Sequence, residues 1–529
     1  MCAQTARDRS ALDRSESVPV LIVGAGPAGL TLSLLLARSG VESMIVEQRR
    51  GLSILPRATG VNLRSMEIYR GLGLQAAIDA VSMSSDVPFM LVGETLAGPP
   101  REVIESNHWG PSSDPAWPSP SHANWCAQDQ LEAVLLEALT EEPCARLRFA
   151  NEFMSFRADG GVTAQVRDRD SGLTRPVQAR YLIGADGASS RVRDCLGIAM
   201  RGQAGFSSEL NILFEAELEP LLEGRRFCMY RTTGEHANGV VRPTGRPGRW
   251  LFGTTDRPDV NEAQLVRTIR DAAGDCRLPV EIIAAGVWEA SARVAESFRD
   301  GPVLLLGDAA HQHTPGGGFG MNSAVQAAHN LAWKLAAVLG QYAGDGLLDT
   351  YEAERRPLAE LTTSLSIAML RARGRASGRT LGIVLGAHYE YGAVVPDGTP
   401  PPRAGDPIAD YVPCARPGHR APHLWLDDAN TSSTLDLFGH EFVLLTRDPT
   451  LWQVASEGVG DPGIPLRVRR LSSIDDGHLY GAGGSGAVLV RPDGYVAARW
   501  PAPPDGMLRE LESAFSTVLS RDAVVRLVT

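Results

Sequence analysis

The chain has 529 residues, 43% hydrophobic and 21% charged, which is too long for one ordinary core and fits a globular protein of two or three domains. Its formal net charge is −11 with no offsetting basic stripe, so a nucleic-acid partner is excluded. Seven scattered cysteines, none in C-x-x-C, exclude a disulfide framework and a zinc site and lead us to expect reduced thiols in a cytoplasmic protein.

The first seventeen residues, MCAQTARDRSALDRSES, are polar and lack the apolar stretch of a signal peptide. The run VPVLIVGAGPAGLTLSLLLA is interrupted by glycines and a proline, so no membrane span is expected. Its opening, Val18 to Val23, predicts a parallel strand buried on both faces. Gly24, Gly26 and Gly29 then fit G-x-G-x-x-G, with Ala28 inside the pattern, and a short helix is predicted from Leu30 to Ser39. The segment ESMIVE is a second strand ending at Glu47, beside Gln48. Gly24 permits the tight turn, Gly26 lets a pyrophosphate reach the backbone, and Gly29 lets helix and strand pack closely. Glu47 lies where a carboxylate can bind a ribose hydroxyl. A second match, GAGGSG at 481–486, precedes an apolar run instead of following one and reads as a loop before a strand, so one dinucleotide fold is expected.

Farther along, Ser82 to Trp125 is rich in Pro, Ser and Trp and is expected to add a strand and loops. The segment ARYLIGADGASSRVRDCLG places Asp186 just after a short strand, with Arg193 following. Phe206 to Asp259 alternates like an antiparallel sheet, with Met229, Tyr230, Phe252, Trp109 and Trp125 as candidate pocket liners; ordinary core packing is the competing reading for each. The segment LLLGDAAHQHTPGGGFGMN again sets an aspartate, Asp308, after a strand, then a glycine-rich loop and a helix from about Met321. His311 and His313 have no further ligand at metal spacing, so no metal is expected, and His313 is the stronger general-base candidate. Lys334, the only lysine, sits in a helix where a salt bridge or carbonyl contact is expected rather than catalysis. After a Pro/Gly-rich linker, STLDLFGHEFVLLT and GAVLVRPDGYVAARW predict strands of a last domain.

The segments GAGPAGL, PRATGVNLRSMEIYRGLGL, QDQLE, YLIGADGASSRVR, LLLGDAAHQHTPGGGFGMN and LLDTYEAERRP together resemble the para-hydroxybenzoate hydroxylase family of flavoprotein monooxygenases. Within it the chain is similar to bacterial aromatic polyketide hydroxylases, including those acting on anthracycline aglycones, and to oxygenases acting on indolocarbazole precursors. The resemblance implies an α/β architecture: a Rossmann-like FAD-binding domain with an inserted antiparallel β-sheet substrate domain and a C-terminal thioredoxin-like domain. The expected boundaries are 18–81, 126–200 and 291–395 for the FAD-binding parts, 82–125 and 201–290 for the substrate parts, 396–417 for the linker and 418–529 for the last domain.

The same resemblance implies a single-component enzyme using FAD and NADPH to hydroxylate a small polycyclic aromatic or phenolic secondary metabolite through a flavin C4a-hydroperoxide. It would be a monomer or homodimer with no membrane partner. Glu47, with Gly24, Gly26, Ala28, Gly29 and Gln48, would hold the adenosine and pyrophosphate end. Arg57 would lie near the pyrophosphate and face NADPH, Gln128 near the ribityl chain, and Asp186 would serve FAD and NADPH use. Asp308 would bind the ribityl or pyrophosphate side. The stretch from Gly316 to Gly320, which includes Gly318, would lie against the isoalloxazine, and Met321 and Asn322 would present the helix end or ring-edge contacts. Pro315 would sit beside the flavin face, with Arg57, His313 and Pro315 nearest the chemistry. Baeyer–Villiger oxidation, oxidative decarboxylation and a non-turnover FAD- or metabolite-binding protein remain open alternatives on the same motifs.

Overall fold

The computed structural model describes residues 16–83, 87–105, 117–255, 261–372, 380–459, 463–471 and 479–521. Strand β1 (Glu16–Val23) is followed by helix α1 (Pro27–Arg38), strand β2 (Ser43–Val46), helix α2 (Leu63–Gly71), helix α3 (Gln128–Thr140), strand β3 (Ala145–Arg148) and strand β4 (Thr174–Gly184). β1 lies between β2 and β4, parallel to both, and is covered on both faces, which explains its unbroken apolar run. Helix α1 begins at Pro27, three residues before the expected Leu30, because proline's fixed φ suits the first helical turn. Val46 and Gly184 are both in register with Val23, so the three strands end level. Every loop leaving them opens on one edge of the sheet, where open α/β sheets bind ligands.

An inserted sheet follows: β5 (Met200–Glu215), β6 (Met229–Gly234), β7 (Ala237–Pro243), β8 (Arg249–Thr254), helix α4 (Glu262–Ala273) and β9 (Glu281–Ala295). The order is β9-β5-β8-β7-β6, extended by Met90–Gly93 and Pro100–Ile104. The Pro/Ser/Trp-rich segment thus gives two strands, and Met90–Gly93 pairs with β6 in parallel, the one such pair in an otherwise antiparallel sheet among the described residues. Leu265, Ile269 and Ala272 of α4 pack on Leu210, Ile212, Phe214, Tyr230, Val241 and Phe252. Side chains alternate along a strand, so Asn211, Leu213, Met229, Arg242, Leu251 and Gly253 take the opposite face. Tyr230 and Phe252 therefore line the core under α4 and not a pocket. Met229 and Trp125 gather with Phe89 and Met90 in a separate cluster, while Trp109 lies outside the described residues.

The chain then returns to the first sheet. Strand β10 (Val303–Leu305) pairs in parallel with β4, Leu305 opposite Gly184, so the segment after it also opens on the shared edge. Helices α5 (Phe319–Leu339) and α6 (Asp349–Arg371) pack behind that edge. The last unit holds β11 (Phe442–Thr446), β12 (Leu466–Arg470), β13 (Ala487–Val490) and β14 (Val496–Trp500) in the order β12-β11-β13-β14. β11 and β12 are parallel and joined through the helix Pro449–Glu457, and the other pairs are antiparallel, which is a thioredoxin-like arrangement. The turn from β11 into that helix reads Arg447, Asp448, Pro449, Thr450, so the redox dithiol position of such folds carries no cysteine. The GAGGSG segment is the approach to β13, as expected.

A fully buried ion network fastens this unit to the helices. Glu354 of α6 accepts Lys334 Nζ of α5 at 2.8 Å and Arg491 Nη1 at 2.8 Å, and Arg491 also pairs with Asp493. The Arg491 guanidinium lies over Trp333 and Tyr389. Lys334 thus takes the expected salt-bridge role. Among the described residues no helix is long and apolar enough to cross a membrane.

Candidate active site

The first loop is built by close contacts that only glycine satisfies. Gly24 has φ +108°, and a Cβ there would lie 2.4 Å from the Ala185 carbonyl oxygen; one at Gly29 would lie 2.1 Å from the Gly24 carbonyl. Gly26 differs, because its Cβ would meet nothing within 4 Å. No protein atom demands a glycine there, and the bare backbone leaves room for a phosphate to approach. Helix α1 has no side-chain cap and no acidic residue in its first turn, so its N-terminal amides are free for an anion. Ala28 lies buried in that turn. At the end of β2, Glu47 accepts the Ala25 amide at 3.0 Å and the Arg49 amide at 2.8 Å, which holds the carboxylate beside the loop. Gln48 is exposed and offers its carbonyl to Arg169.

The middle of the edge carries the two aspartates, which are not equivalent. Asp186 accepts the Ser190 hydroxyl at 2.5 Å and the Val192 amide at 3.1 Å, so its carboxylate braces the next turn. Arg193 ties the two loops together by donating to the carbonyls of Ala188 and Ala309. Asp308 accepts no hydrogen bond among the described residues; burial raises its pKa and the exposed Arg57 lowers it. An unengaged carboxylate at this position fits a ligand hydroxyl. Gln128 opens α3 and donates through Nε2 to Glu132 at 2.7 Å. Glu132 is buried and its pKa is pushed up to about 7, chiefly by burial. It was not singled out by sequence, although QDQLE contains it; a carboxylate four residues after a helix-opening glutamine is the signal that could have found it.

The glycines of the second loop divide into two groups. A Cβ at Gly316 would lie 2.3 Å from the Ser366 carbonyl of α6, and one at Gly317 would strike Phe319 and Met369. These two have a packing reason of their own against α6, beside the flavin contact expected of the stretch. A Cβ at Gly318 would meet nothing within 4 Å and one at Gly320 only His313 Cβ at 4.0 Å, which leaves room for a flat ring. Helix α5 starts at Phe319, two residues before the expected Met321, and it too has no side-chain cap and no acid in its first turn. Met321 is half-buried against the main core. Asn322 accepts the Asn62 amide and donates to the Gly60 and Gly318 carbonyls, so its amide clamps two loops and leaves the helix backbone to face a ligand.

Pro315 is exposed at the loop's tip. His313 shares a 2.9 Å hydrogen bond between Nε2 and Thr362 Oγ1, and that hydroxyl also donates to the Leu358 carbonyl, so Nε2 carries the proton. Its Nδ1 is buried without a partner, and burial with the charge of Arg355 pushes its pKa down to about 4. A buried, weakly basic Nδ1 is poorly suited to the general-base role expected of His313. His311 is buried, ring to ring 5.2 Å from His313, with a pKa well below the ordinary histidine value for the same cause. Among the described residues no group of three metal-ligating side chains comes together.

The family described as FAD binding domain matches residues 17–366, and that described as aromatic-ring hydroxylase, C-terminal, matches residues 415–521. The chain belongs to the FAD-dependent aromatic-ring hydroxylases. This hydroxylase is a flavoprotein monooxygenase. It is 36% identical to the tetracenomycin A2 monooxygenase-dioxygenase of Streptomyces glaucescens, covering 96% of this chain and 98% of that one. It is 35% identical to the aklavinone 12-hydroxylase RdmE of Streptomyces purpurascens, covering 95% and 99%. Among solved structures it superposes on the flavin-dependent monooxygenase PieE in complex with FAD and substrate with a TM-score of 0.87, at 34% identity over 96% of this chain and 99% of that one. A ternary complex of aklavinone-11 hydroxylase with FAD and aklavinone gives a TM-score of 0.85, at 33% identity over 96% and 100%. In the hydroxylase, three glycines with open Cβ positions and two uncapped helix N-termini lie along a single sheet edge, as a long dinucleotide requires.

Proposed function

We propose that this hydroxylase uses NADPH and inserts one oxygen atom into a polycyclic aromatic or phenolic substrate of the polyketide type. The observation that carries the reading is the pair of open glycines, Gly318 at the N-cap and Gly320 in the first turn of an uncapped 21-residue helix, facing space that a planar ring would fill. Names of relatives support the substrate class: tetracenomycin, aklavinone and, in two Streptomyces relatives, polyketide hydroxylase.

When bound, FAD supplies the redox chemistry, accepting electrons from NADPH and activating dioxygen. The chain's own residues do the rest. The first-turn amides of α5 stabilise the negative charge that reduction places on the flavin's pyrimidine edge. Asp308 and Gln128 hold the ribityl chain, Glu47 the ribose, and the α1 N-terminus the pyrophosphate. Asp186 and Asn322 position these loops through the hydrogen bonds given above. Arg57, exposed on the loop before α2, is placed to meet NADPH or the pyrophosphate. Leu213, Leu251 and Met229, on the face of the inserted sheet turned away from α4, limit water over the reacting centre.

The deciding experiment follows NADPH oxidation by the FAD-loaded enzyme with a panel of polycyclic phenols and identifies products by mass spectrometry. Substrate-stimulated oxidation with a product one oxygen heavier is the expected result. A product oxidised without added oxygen would replace hydroxylation by decarboxylation or dehydrogenation. Tight binding of a panel member without turnover would make the protein a binder.

A further inference from the structure

Helix α6 carries two adjacent arginines with different surroundings. Arg356 lies on the outer side and pairs with Glu352 and Glu360, one turn away in each direction. Arg355 points inward and is 4% exposed. Other buried cations share a carboxylate: Lys334 and Arg491 meet at Glu354, and Arg64 and Arg420 at Glu67. Arg355 forms no ion pair among the described residues. Its Nη1 donates to the Tyr389 hydroxyl at 3.2 Å, its Nη2 donates to the Ser323 carbonyl at 3.4 Å, and its Nε is buried without a partner.

The titratable groups around this guanidinium are Tyr351, Tyr389, Tyr495, His311, His313 and His329. Burial pushes the Tyr351 and Tyr389 phenols up and the three imidazoles down, so none of these five carries a charge that offsets it. Glu354 and Asp493, which also act on Tyr389, are already engaged by Lys334 and Arg491. A buried cation without a counter-ion is costly, and its field is poorly screened.

That field is directed at one place. Ser323 is four residues, or about 6 Å along the axis, from Phe319 at the start of α5. Its neighbour Asn322 ties this start to Gly318 and to the loop at Gly60 and Asn62. The charge also reaches His313, whose Cβ is 4.0 Å from where a Cβ at Gly320 would stand. Arg355 therefore lies behind the turn that carries the two open glycines.

Resting on the placement of FAD along this edge, we propose that Arg355 sets the redox balance of the flavin, its unpaired charge adding to the α5 N-terminus to favour the reduced, anionic ring over the oxidised one. A hydride from reduced nicotinamide brings two electrons and one proton to the ring and leaves it one negative charge richer. The helix N-terminus offers that charge about half a positive one. A whole positive charge about 10 Å behind it, across packed protein, changes the reduced-to-oxidised ratio by on the order of tenfold. Arg355 acts through space, so the effect follows its charge and not its hydrogen bonds.

The test measures the two-electron midpoint potential of FAD bound to the full-length enzyme, by anaerobic dye-coupled reduction, together with the affinity for oxidised FAD. Arg355→Gln is expected to lower the reduced-to-oxidised ratio about tenfold, which is about 30 mV for two electrons, while oxidised FAD binds nearly as before. Arg355→Lys, which keeps the charge and loses the fork, and Tyr389→Phe, which keeps the charge and loses a hydrogen bond, hold the wild-type midpoint. Tyr389→Glu, which sets a carboxylate in the same space, lowers it as Arg355→Gln does, and decides the matter where the glutamine variant does not fold. A wild-type midpoint in Arg355→Gln or, failing that variant, in Tyr389→Glu overturns the proposal, as do equal falls in Arg355→Gln and Arg355→Lys. Gly320→Ala tests the placement of FAD separately: its methyl meets no protein atom closer than 4.0 Å and is expected to disturb the flavin spectrum. An undisturbed spectrum and affinity overturn the placement; a disturbed spectrum with an unmoved midpoint in Arg355→Gln overturns the role of Arg355 alone.

Discussion

Asp308 and Glu132 are two acids whose pKa values burial pushes up, and they differ in their partners. Arg57 offsets part of the effect at Asp308, which has no hydrogen-bonding partner among the described residues and is open to a ligand hydroxyl. Asp308→Ala is expected to weaken FAD retention by about ten- to a hundredfold, the value of a charged hydrogen bond; flavin fluorescence during dilution measures it, and full occupancy would remove Asp308 from the site. Glu132 titrates near 7 in the folded enzyme against an ordinary 4.5. A raised carboxyl pKa means that the folded state keeps its proton where the unfolded chain has lost it. Stability is therefore greatest below about 4.5 and falls as pH rises toward 7, by about 3 kcal/mol in all. Glu132→Gln should flatten that part of the Tm-against-pH curve and raise Tm at pH 8. An unchanged slope would show that Glu132 is ionised.

At the scale of elements, α5 does two jobs. Its N-terminus opens on the sheet edge while Asn330, Trp333 and Lys334, about three to four turns on, join Glu354 and Arg491. Glu354→Ala would leave Lys334 and Arg491 buried without their shared carboxylate, a loss of about 3–5 kcal/mol for such groups. The expected outcome is a lower denaturant midpoint with early FAD release; an unchanged midpoint would mean that the network is relaxed by water. The loops flanking α1 and α5 were largely legible in the sequence because their glycines fall in a recognisable pattern between a strand and a helix. The packing of Gly316 and Gly317 was not legible because the Ser366 backbone and the Met369 side chain of α6 that they meet lie some fifty residues downstream. The faces of the inserted sheet were not legible at all. Alternation in ANGVVRPT separates Val241 from Arg242 but does not tell which of them meets α4, and an arginine in such a strand looks like ordinary surface. That choice depends on where α4 docks, which is not a local property.

For the molecule as a whole, the thioredoxin-like unit is structural. Phe442, Leu444, Trp452, Leu489 and Phe515 belong to the same continuous core as β1, α1 and α5. A chain ending before residue 396 would expose that half of the core, together with Trp333 and the Lys334–Glu354 pair. It is expected to aggregate and bind no flavin, measured by gel filtration and flavin absorbance; a monomeric, yellow truncated protein would show that the unit is dispensable. The three-part architecture was readable from the order of motifs, whereas the burial of ions between its parts was not, since Arg491 and Glu354 are 137 residues apart. The solitary lysine has a practical result. Its side chain is fully enclosed, so the one lysine of this sequence is closed to amine-reactive reagents in the folded enzyme. A label on Lys334 can arrive only when α5 and α6 have parted, so the rate of its appearance, read by peptide mass spectrometry, is a clock for the opening of the core.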